Sequence, residues 1–133
     1  MNSISGVRII CIGPKEGFAG IRRVLDDHGA EVRVVKTLPE FEKFEKLSLP
    51  DLVFVWLVRD TRNLLKVLPL LKKEHKRVPV IVVTDRTNLD LYLNALTLGA
   101  FDALGLPVDE VELLRITRRE LVECSGHTAS ATA

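Results

Sequence analysis

The amino-acid sequence predicts a three-layer α/β/α sandwich built on a five-stranded parallel sheet of strand order 2-1-3-4-5. Short segments rich in β-branched residues alternate with segments that carry apolar residues at helical spacing, within a chain of 133 residues. Three of the strands are continuous apolar runs, as in strands buried on both faces, whereas the second alternates and the fifth is short. We therefore expect helices on both sides of the sheet, with strands two and five at its edges.

The first strand is predicted over residues 7–12. Residues 13–17, with the sequence GPKEG, are predicted to form a loop because proline and glycine interrupt regular structure. A helix is expected over residues 18–28, and Gly29 follows it in the position of a left-handed cap. The second strand, Glu31–Val35, alternates apolar and polar residues, which indicates an edge strand.

The third strand ends in a residue that needs explanation. A capping-box pattern of Thr37 and Glu40 opens the second helix, and Pro50 ends it before the apolar run LVFVWLV at residues 52–58. In parallel sheets of this kind the functional site lies beyond the carboxyl ends of the strands. The residue that this strand delivers there is Trp56.

The second half of the chain continues the alternation. A third helix, capped by Asp60 or Thr61, is predicted to end in the charged run KKEHKR at residues 72–77. A fourth strand is predicted over 78–83, a fourth helix over 88–98 and a short fifth strand over 101–104. Asp109 is predicted to cap a fifth helix, whose core-facing residues are Val111, Leu114, Thr117 and Leu121. Residues 124–133 have no apolar periodicity, so we expect a globular domain over 1–123 and a flexible tail or the start of a linker over 124–133.

Composition and charge argue against several classes of protein. The 19 basic and 18 acidic residues leave a net charge of +1, so neither a nucleic acid nor an anionic membrane is expected as a partner. No apolar run approaches the roughly 18 residues of a membrane span, and no signal peptide is recognisable. The two cysteines, Cys11 and Cys124, are not expected to form a disulfide, and a cytoplasmic location is predicted.

Three stretches carry a resemblance to a known family: PDLVFVW at residues 50–56, VPVIVVTDR at 78–86 and ALTLGAFDALGLP at 95–107. Over about residues 5–122 the chain resembles the receiver domain of bacterial response regulators, the phosphorylated switch domain of two-component systems and phosphorelays. The resemblance implies a flavodoxin-like, CheY-like fold and a role in signal transduction.

The chemistry of that family requires polar side chains at the carboxyl edge of the sheet. A phosphoryl group is transferred to an aspartate at the end of strand three, two acidic residues after strand one hold Mg²⁺, and a lysine after strand five offsets negative charge. Aligned with the family, this chain has Trp56 at the phosphoacceptor, Gly13 and Pro14 at the acidic pair, and Leu106 at the lysine.

Only the hydroxyl position of the family is kept. Thr84 stands where a serine or threonine moves toward the phosphoryl oxygens, and Ala103 stands where the family has an aromatic switch residue. A single threonine at a strand end more often bonds a nearby backbone group, which is the favoured interpretation of Thr84. Because indole cannot be phosphorylated, we expect a degenerate pocket in which Trp56, Leu106 and Pro14 form an apolar plug.

The predicted fourth helix carries more apolar residues than one buried stripe requires. The surplus indicates a contact surface or reflects leucines that only favour the helix, and the sequence leaves both interpretations open. In the resembled family, the fourth helix, the fifth strand and the fifth helix form the output and dimer face. The corresponding candidate face comprises Leu89, Leu91, Tyr92, Leu98, Arg115 and Arg118.

These features predict a pseudo-receiver, an interaction module that binds a protein partner or a second copy of itself without being phosphorylated. The alternative is a small-molecule or nucleotide sensor that uses the crevice at the carboxyl edge of the sheet. The sequence contains no recognisable pair of nucleophile and base and no cluster of metal ligands, so we expect no enzyme, no cofactor and no metal site.

Overall fold

The structure is a computed structural model that describes residues 4–45, 50–57, 69, 78–85 and 102–132. In chain order its elements are β1 (Arg8–Ile12), α1 (Lys15–Asp27), β2 (Glu31–Val35), α2 (Leu38–Glu45), β3 (Leu52–Leu57), β4 (Val80–Asp85), β5 (Asp102–Leu106) and α3 (Glu110–Thr132). The predicted third and fourth helices lie, except for residue 69, outside the described residues.

The strands form one sheet in the order β2-β1-β3-β4-β5, and every adjacent pair is parallel. This confirms the predicted fold class and topology, with β2 and β5 at the two edges. The strand order reverses between β1 and β3. In such sheets a crevice lies beyond the carboxyl ends of the two strands at this point.

Apolar side chains cover both faces of the sheet. On one face, α1 and α3 pack through residues such as Phe18 and Leu113 onto a cluster that includes Phe54 of β3. On the other face, α2 packs through Phe41 onto a cluster that includes Val53 of the same strand. Because successive residues of a strand point to opposite faces, one apolar strand supplies both clusters. The two helical layers and the sheet make the predicted three-layer sandwich.

The helix α1 begins earlier than the sequence predicts. Residues 15–17, which were predicted as part of a loop, form its first turn, and Pro14 occupies the N-cap position with φ −70° and ψ 132°. The ring of proline fixes φ near this value, so proline is well suited to the start of a helix. At the other end, Gly29 adopts a φ of 88°, as predicted for a left-handed cap.

The helix α3, which corresponds to the predicted fifth helix, is longer than the sequence predicts. Asp109 caps it as expected, since its Oδ1 accepts a hydrogen bond of 3.0 Å from the Val111 backbone N–H. The helix continues to Thr132, so residues 124–132, predicted as a flexible tail, are helical. The division of the chain into a domain and a linker at residue 123 stays a prediction. Although α3 has 23 residues, no helix in the described part of the chain is long and apolar enough to cross a membrane.

The buried face of α3 also differs from the prediction. Val111, predicted to face the core, is 74% exposed. Among residues 110–121, the part of this helix whose side chains are described, the buried ones are Leu113, Leu114, Ile116, Thr117 and Glu120. The hydroxyl of Thr117 donates a hydrogen bond of 2.7 Å to the carbonyl oxygen of Leu113, which satisfies this buried polar group within the helix.

Candidate functional site at the carboxyl edge of the sheet

The residues predicted to form a degenerate pocket come from strands that end side by side. Gly13 follows β1, and Leu106 is the last residue of β5. Trp56 and Thr84 are the penultimate residues of β3 and β4. Thr84 is in register with Leu57, the residue after Trp56. The sheet therefore brings these positions to one edge, as the resemblance implied.

Trp56 packs on the turn that joins β1 to α1. It follows Leu52 and Phe54 on the face of β3 that is covered by α1. Its Cβ lies against Gly13, and the far edge of its indole ring lies over Gly17 in the first turn of α1. A Cβ on Gly17 would stand 2.8 Å from the indole atoms Cη2 and Cζ2, closer than non-bonded carbon atoms approach each other. The two glycines thus leave the room that the indole occupies.

Phe18 completes the surroundings of the indole. Its ring is fully buried and meets the Trp56 ring edge to face, with centroids 5.3 Å apart and an interplanar angle of 67°. An aromatic contact of this geometry contributes about 0.5–1.5 kcal/mol beyond the burial of apolar area. Trp56 itself is half-buried, so part of its ring packs on protein and part borders solvent. We call Gly13, Gly17 and Phe18 the tryptophan seat.

Gly13 is held in a conformation that favours glycine. Its φ is 150°, and its N–H donates a hydrogen bond of 2.8 Å to the carbonyl oxygen of Val35 at the end of β2. The turn after β1 is therefore fixed by the edge strand on one side and by Trp56 on the other.

The apolar plug differs in part from its prediction. Trp56 is packed as expected, and Leu106 is half-buried against the apolar cluster on the α1 face of the sheet. Pro14 is exposed at the start of α1, so it is not part of the packed contact. Sequence reasoning missed Gly17 and Phe18, whose partner lies far along the chain. The one signal for them was the glycine-rich stretch GPKEGFAG that faces the end of strand three.

Thr84 and Ala103 lie on the strands β4 and β5, and Ala103 packs on the face of the sheet opposite to Trp56. Thr84 is 3% exposed, so its hydroxyl is enclosed by protein. Ala103 is half-buried against the apolar cluster on the α2 face. A methyl group has no ring to reorient, so Ala103 lacks the group on which the family's switch depends.

The Mg²⁺ ion that the resemblance implies does not fit this edge. Mg²⁺ takes oxygen ligands in nearly octahedral geometry. Gly13 and Pro14 have no side-chain oxygen, and the indole of Trp56 fills the space that a side chain at Gly17 would need. Within residues 4–45, 50–57, 78–85 and 102–132 no group of three His, Cys, Asp or Glu side chains is placed to hold a metal ion. The chemistry of phosphoryl transfer therefore cannot be derived from these residues.

Cys11 is the nucleophilic side chain nearest to this edge on β1, and its burial disfavours the reactive thiolate form. Its side chain is fully buried. Burial raises the pKa of the Cys11 thiol far above its ordinary value, and the nearby Arg22 guanidinium lowers it only in part. Since the thiolate is the reactive form, the protonated thiol acts as a packing group.

A cavity of about 330 Å³ lies away from the carboxyl edge. It borders the amino-terminal part of β1 and β2, where the Arg33 guanidinium lies 4.3 Å from the centroid of the Phe44 ring. Its lining residues are Arg8, Ile9, Ile10, Glu31, Val32, Arg33, Phe44 and Pro50. The predicted alternative, a sensor, requires a crevice at the carboxyl edge, and this cavity does not coincide with it.

The predicted interaction face is described only in part. Leu89, Leu91, Tyr92 and Leu98 lie outside the described residues. On α3, Arg115 is exposed and Arg118 is half-buried. The Nε atom of Arg118 is buried and has no hydrogen-bond partner among the described residues. The role of this face stays a prediction.

The chain was compared with known proteins both by sequence and by structure. No family model matches the chain. The nitrogen assimilation regulatory protein NtrX of Azorhizobium caulinodans is 28% identical over 116 residues, which make up 85% of this chain and 26% of NtrX. The chain thus spans about a quarter of the length of the curated relatives that it matches.

Solved structures establish the fold. The N-terminal signal receiver domain of a two-component response regulator from Bacteroides fragilis superposes with a TM-score of 0.78 at 20% identity, over 88% of this chain and 98% of that domain. The chain has the fold of a response-regulator receiver domain, and its sequence resembles regulators of the NtrX and NtrC type. NtrX from Brucella abortus superposes on this chain with a TM-score of 0.88 at 20% identity, over 96% of this chain and 29% of the NtrX chain. The resemblance stated from the sequence is therefore confirmed.

Proposed function

We propose that this receiver domain is a pseudo-receiver, which acts in signalling by binding a protein partner or a second copy of itself without accepting a phosphoryl group. It is not an enzyme in this proposal. The observation that carries the proposal is the position of Trp56, whose indole packs on Gly13 and Gly17 at the end of β3.

The residue chemistry at this edge supports the proposal. An acyl phosphate forms only on a carboxylate, and charge must be neutralised on the transferred group. Trp56 has no nucleophilic atom of this kind, and Leu106 brings no charge. Gly13 and Pro14 contribute no ligand for a metal ion. The acceptor carboxylate, the metal ligands and the lysine are all missing at these positions, and only the hydroxyl of Thr84 is kept.

The carboxylate at the other end of β3 does not replace the missing one. Asp51 precedes the strand, so it lies at the amino-terminal edge of the sheet. Its Oδ2 accepts a hydrogen bond of 2.9 Å from the Arg8 backbone N–H, and its own N–H donates to the Arg8 carbonyl oxygen at 2.8 Å. Asp51 is thereby a structural link between β1 and β3.

The proposed contact surface comprises β5 and the first turns of α3, together with the predicted helix 88–98, which lies outside the described residues. Val111 supports it, because a large apolar side chain that is 74% exposed is better covered by a partner than by water. Arg115 lies one helical turn further along α3 and is exposed as well. An arginine beside an apolar side chain is a common feature of protein interfaces.

The phosphorylation part is tested by intact mass spectrometry after incubation with Mg²⁺ and a small phosphodonor. We expect no gain of a phosphoryl group, with a receiver domain that has an acceptor aspartate as the positive control. The variant Trp56→Asp is expected to stay unmodified too, because the ligands for the metal ion and the lysine are still missing. A phosphorylated wild-type protein would contradict the proposal.

The binding part is tested by capture of partners from a lysate of the native cells and by sedimentation of the purified protein. The variants are Val111→Glu and Leu91→Glu with Leu98→Glu, all on the proposed surface. Arg22→Glu, on the exposed side of α1, is the matched control. We expect the surface variants to lose a partner or to self-associate less. We expect Arg22→Glu to behave as the wild type does. A partner that binds all of these proteins equally would rule out this surface.

A further inference from the structure

We propose that Gly17 is a positioning residue for Trp56, and that the tryptophan seat holds the carboxyl edge of the sheet in one conformation without a ligand. The inference rests on the proposed function, because it explains how a receiver domain that is not phosphorylated keeps this edge ordered. Its physical basis is the contact between the first turn of α1 and the end of β3.

Gly17 has no conformational reason to be glycine. Glycine weakens a helix relative to alanine because it loses more freedom on folding. Among the described glycines, the positive φ values belong to Gly6, Gly13 and Gly29, whereas Gly17 lies inside α1 with helical backbone. The absence of a side chain at Gly17 is therefore explained by space, since the indole of Trp56 occupies the place of its Cβ.

Gly20 provides the comparison within the same helix. It lies one turn after Gly17, is exposed, and would place a Cβ in open space, with no atom of the described part of the chain within 4 Å. The two glycines share the helix and the helical backbone. They differ in whether Trp56 lies above them.

The indole cannot make room for a methyl group at Gly17 by moving as a whole. Trp56 is in register with Val83 of β4, and its Cβ already lies against Gly13. On the inner side the fully buried ring of Phe18 fills the space. A side chain at Gly17 therefore forces the indole to rotate away from the tryptophan seat, toward the side that borders solvent.

The fluorescence of Trp56 tests this consequence directly, because it is the single tryptophan of the chain. In Gly17→Ala we expect the emission maximum to move to longer wavelength and acrylamide to quench the emission more strongly than in the wild type. In Gly20→Ala we expect an unchanged spectrum and a higher melting temperature, since alanine favours the helix. If Gly17→Ala matched Gly20→Ala in both spectrum and melting temperature, the inference would be wrong.

A second pair of variants keeps the test valid if Gly17→Ala folds poorly. Phenylalanine lacks the Cζ2 and Cη2 atoms of the fused ring, which are the indole atoms that meet Gly17. In a Trp56→Phe background, Gly17→Ala should therefore raise the melting temperature as Gly20→Ala does. A loss of melting temperature that persists in this background would contradict a role through Trp56.

Failure of this inference is distinguishable from failure of the proposed function. The wild-type emission spectrum is expected to be the same with and without Mg²⁺ and a small phosphodonor. A phosphoryl group detected by mass overturns the proposed function, whereas the behaviour of the two glycine variants decides on the tryptophan seat alone. If Mg²⁺ changed the emission spectrum of the unphosphorylated protein, the inference that this edge has a single conformation would be wrong.

Discussion

Trp56 and Phe18 meet edge to face at the carboxyl end of the sheet, with their ring centroids 5.3 Å apart. Phe18 belongs to the buried cluster between α1 and the sheet, and Trp56 packs against the edge of that cluster. The apolar core thus extends to the place where a receiver domain is expected to hold charged groups. Stability, and not reactivity, is the property that variants at this edge are expected to change.

Removal of the indole is expected to destabilise the fold. A fully buried aromatic residue loses about 3–5 kcal/mol when it is replaced by alanine. Because Trp56 is half-buried, we expect Trp56→Ala to lower the free energy of unfolding by about 2–3 kcal/mol, and Trp56→Phe by about 1 kcal/mol. Urea unfolding followed by circular dichroism measures both values. Equal stability of the three proteins would show that the contact with Phe18 does not contribute.

A side chain at Gly13 is expected to be costly for two reasons. The φ of 150° is unfavourable for other residues, and a new Cβ would collide with the Cβ of Trp56, which the backbone of β3 holds in place. We expect Gly13→Ala to lower the free energy of unfolding by about 3 kcal/mol, as strain and overpacking add.

Gly6 is the matched control for that variant. It also has a positive φ, of 79°, but a Cβ there would have no atom within 4 Å. Gly6→Ala should therefore cost only the backbone strain, about 1–2 kcal/mol. If both alanine variants lost the same amount in urea unfolding, the collision with Trp56 would not be the cause.

The strands were predictable because their signal is local. Runs such as LVFVW are apolar at every position, and this pattern is typical of a parallel strand that is covered on both faces. The start of α1 was not predictable in the same way. Gly17 was interpreted as a loop residue, whereas its lack of a side chain accommodates Trp56 from a distant strand. A contact with a residue so far along the chain cannot be seen in the local sequence pattern.

The last helix shows a second limit of local patterns. Val111 was predicted to face the core from its apolar character, yet the helix turns it to solvent and buries Glu120, which is 2% exposed. A carboxylate on the buried side violates the expected periodicity and is tolerated because it is paired, with Oε1 lying 3.6 Å from Nη2 of Arg119. The small and polar residues after 123 gave no helical pattern, although the chain is helical there.

The cap of α3 is expected to be measurable. Asp109 accepts a hydrogen bond from the Val111 N–H, and its carboxylate lies at the positive end of the helix dipole. Asp109→Ala should lower the free energy of unfolding by about 1 kcal/mol. Asp109→Asn keeps an oxygen acceptor and should lose only a fraction of this amount. The comparison of the two by urea unfolding separates the hydrogen bond from the charge, and no loss in either variant would contradict the capping role.

Cys11 is expected to make stability depend on pH in the alkaline range. Burial raises the pKa of its thiol, so the folded protein keeps the proton to higher pH than the unfolded chain does. Below about pH 8.5, the ordinary pKa of a thiol, both states are protonated and Cys11 adds no pH dependence. Above that value the unfolded chain alone releases the proton, so the free energy of unfolding should fall by up to about 1.4 kcal/mol per pH unit.

The variant Cys11→Ala isolates this effect from the titration of other groups. Alanine leaves a small cavity and lowers stability at every pH, but it has no proton to release. Cys124 is present in both proteins, so its contribution cancels in the difference. We expect the stability advantage of the wild type over Cys11→Ala to be constant up to about pH 8.5 and to shrink between about pH 8.5 and 10. An advantage that stays constant over this range would mean that the folded and unfolded chains ionise the thiol alike, in contradiction to the burial of Cys11.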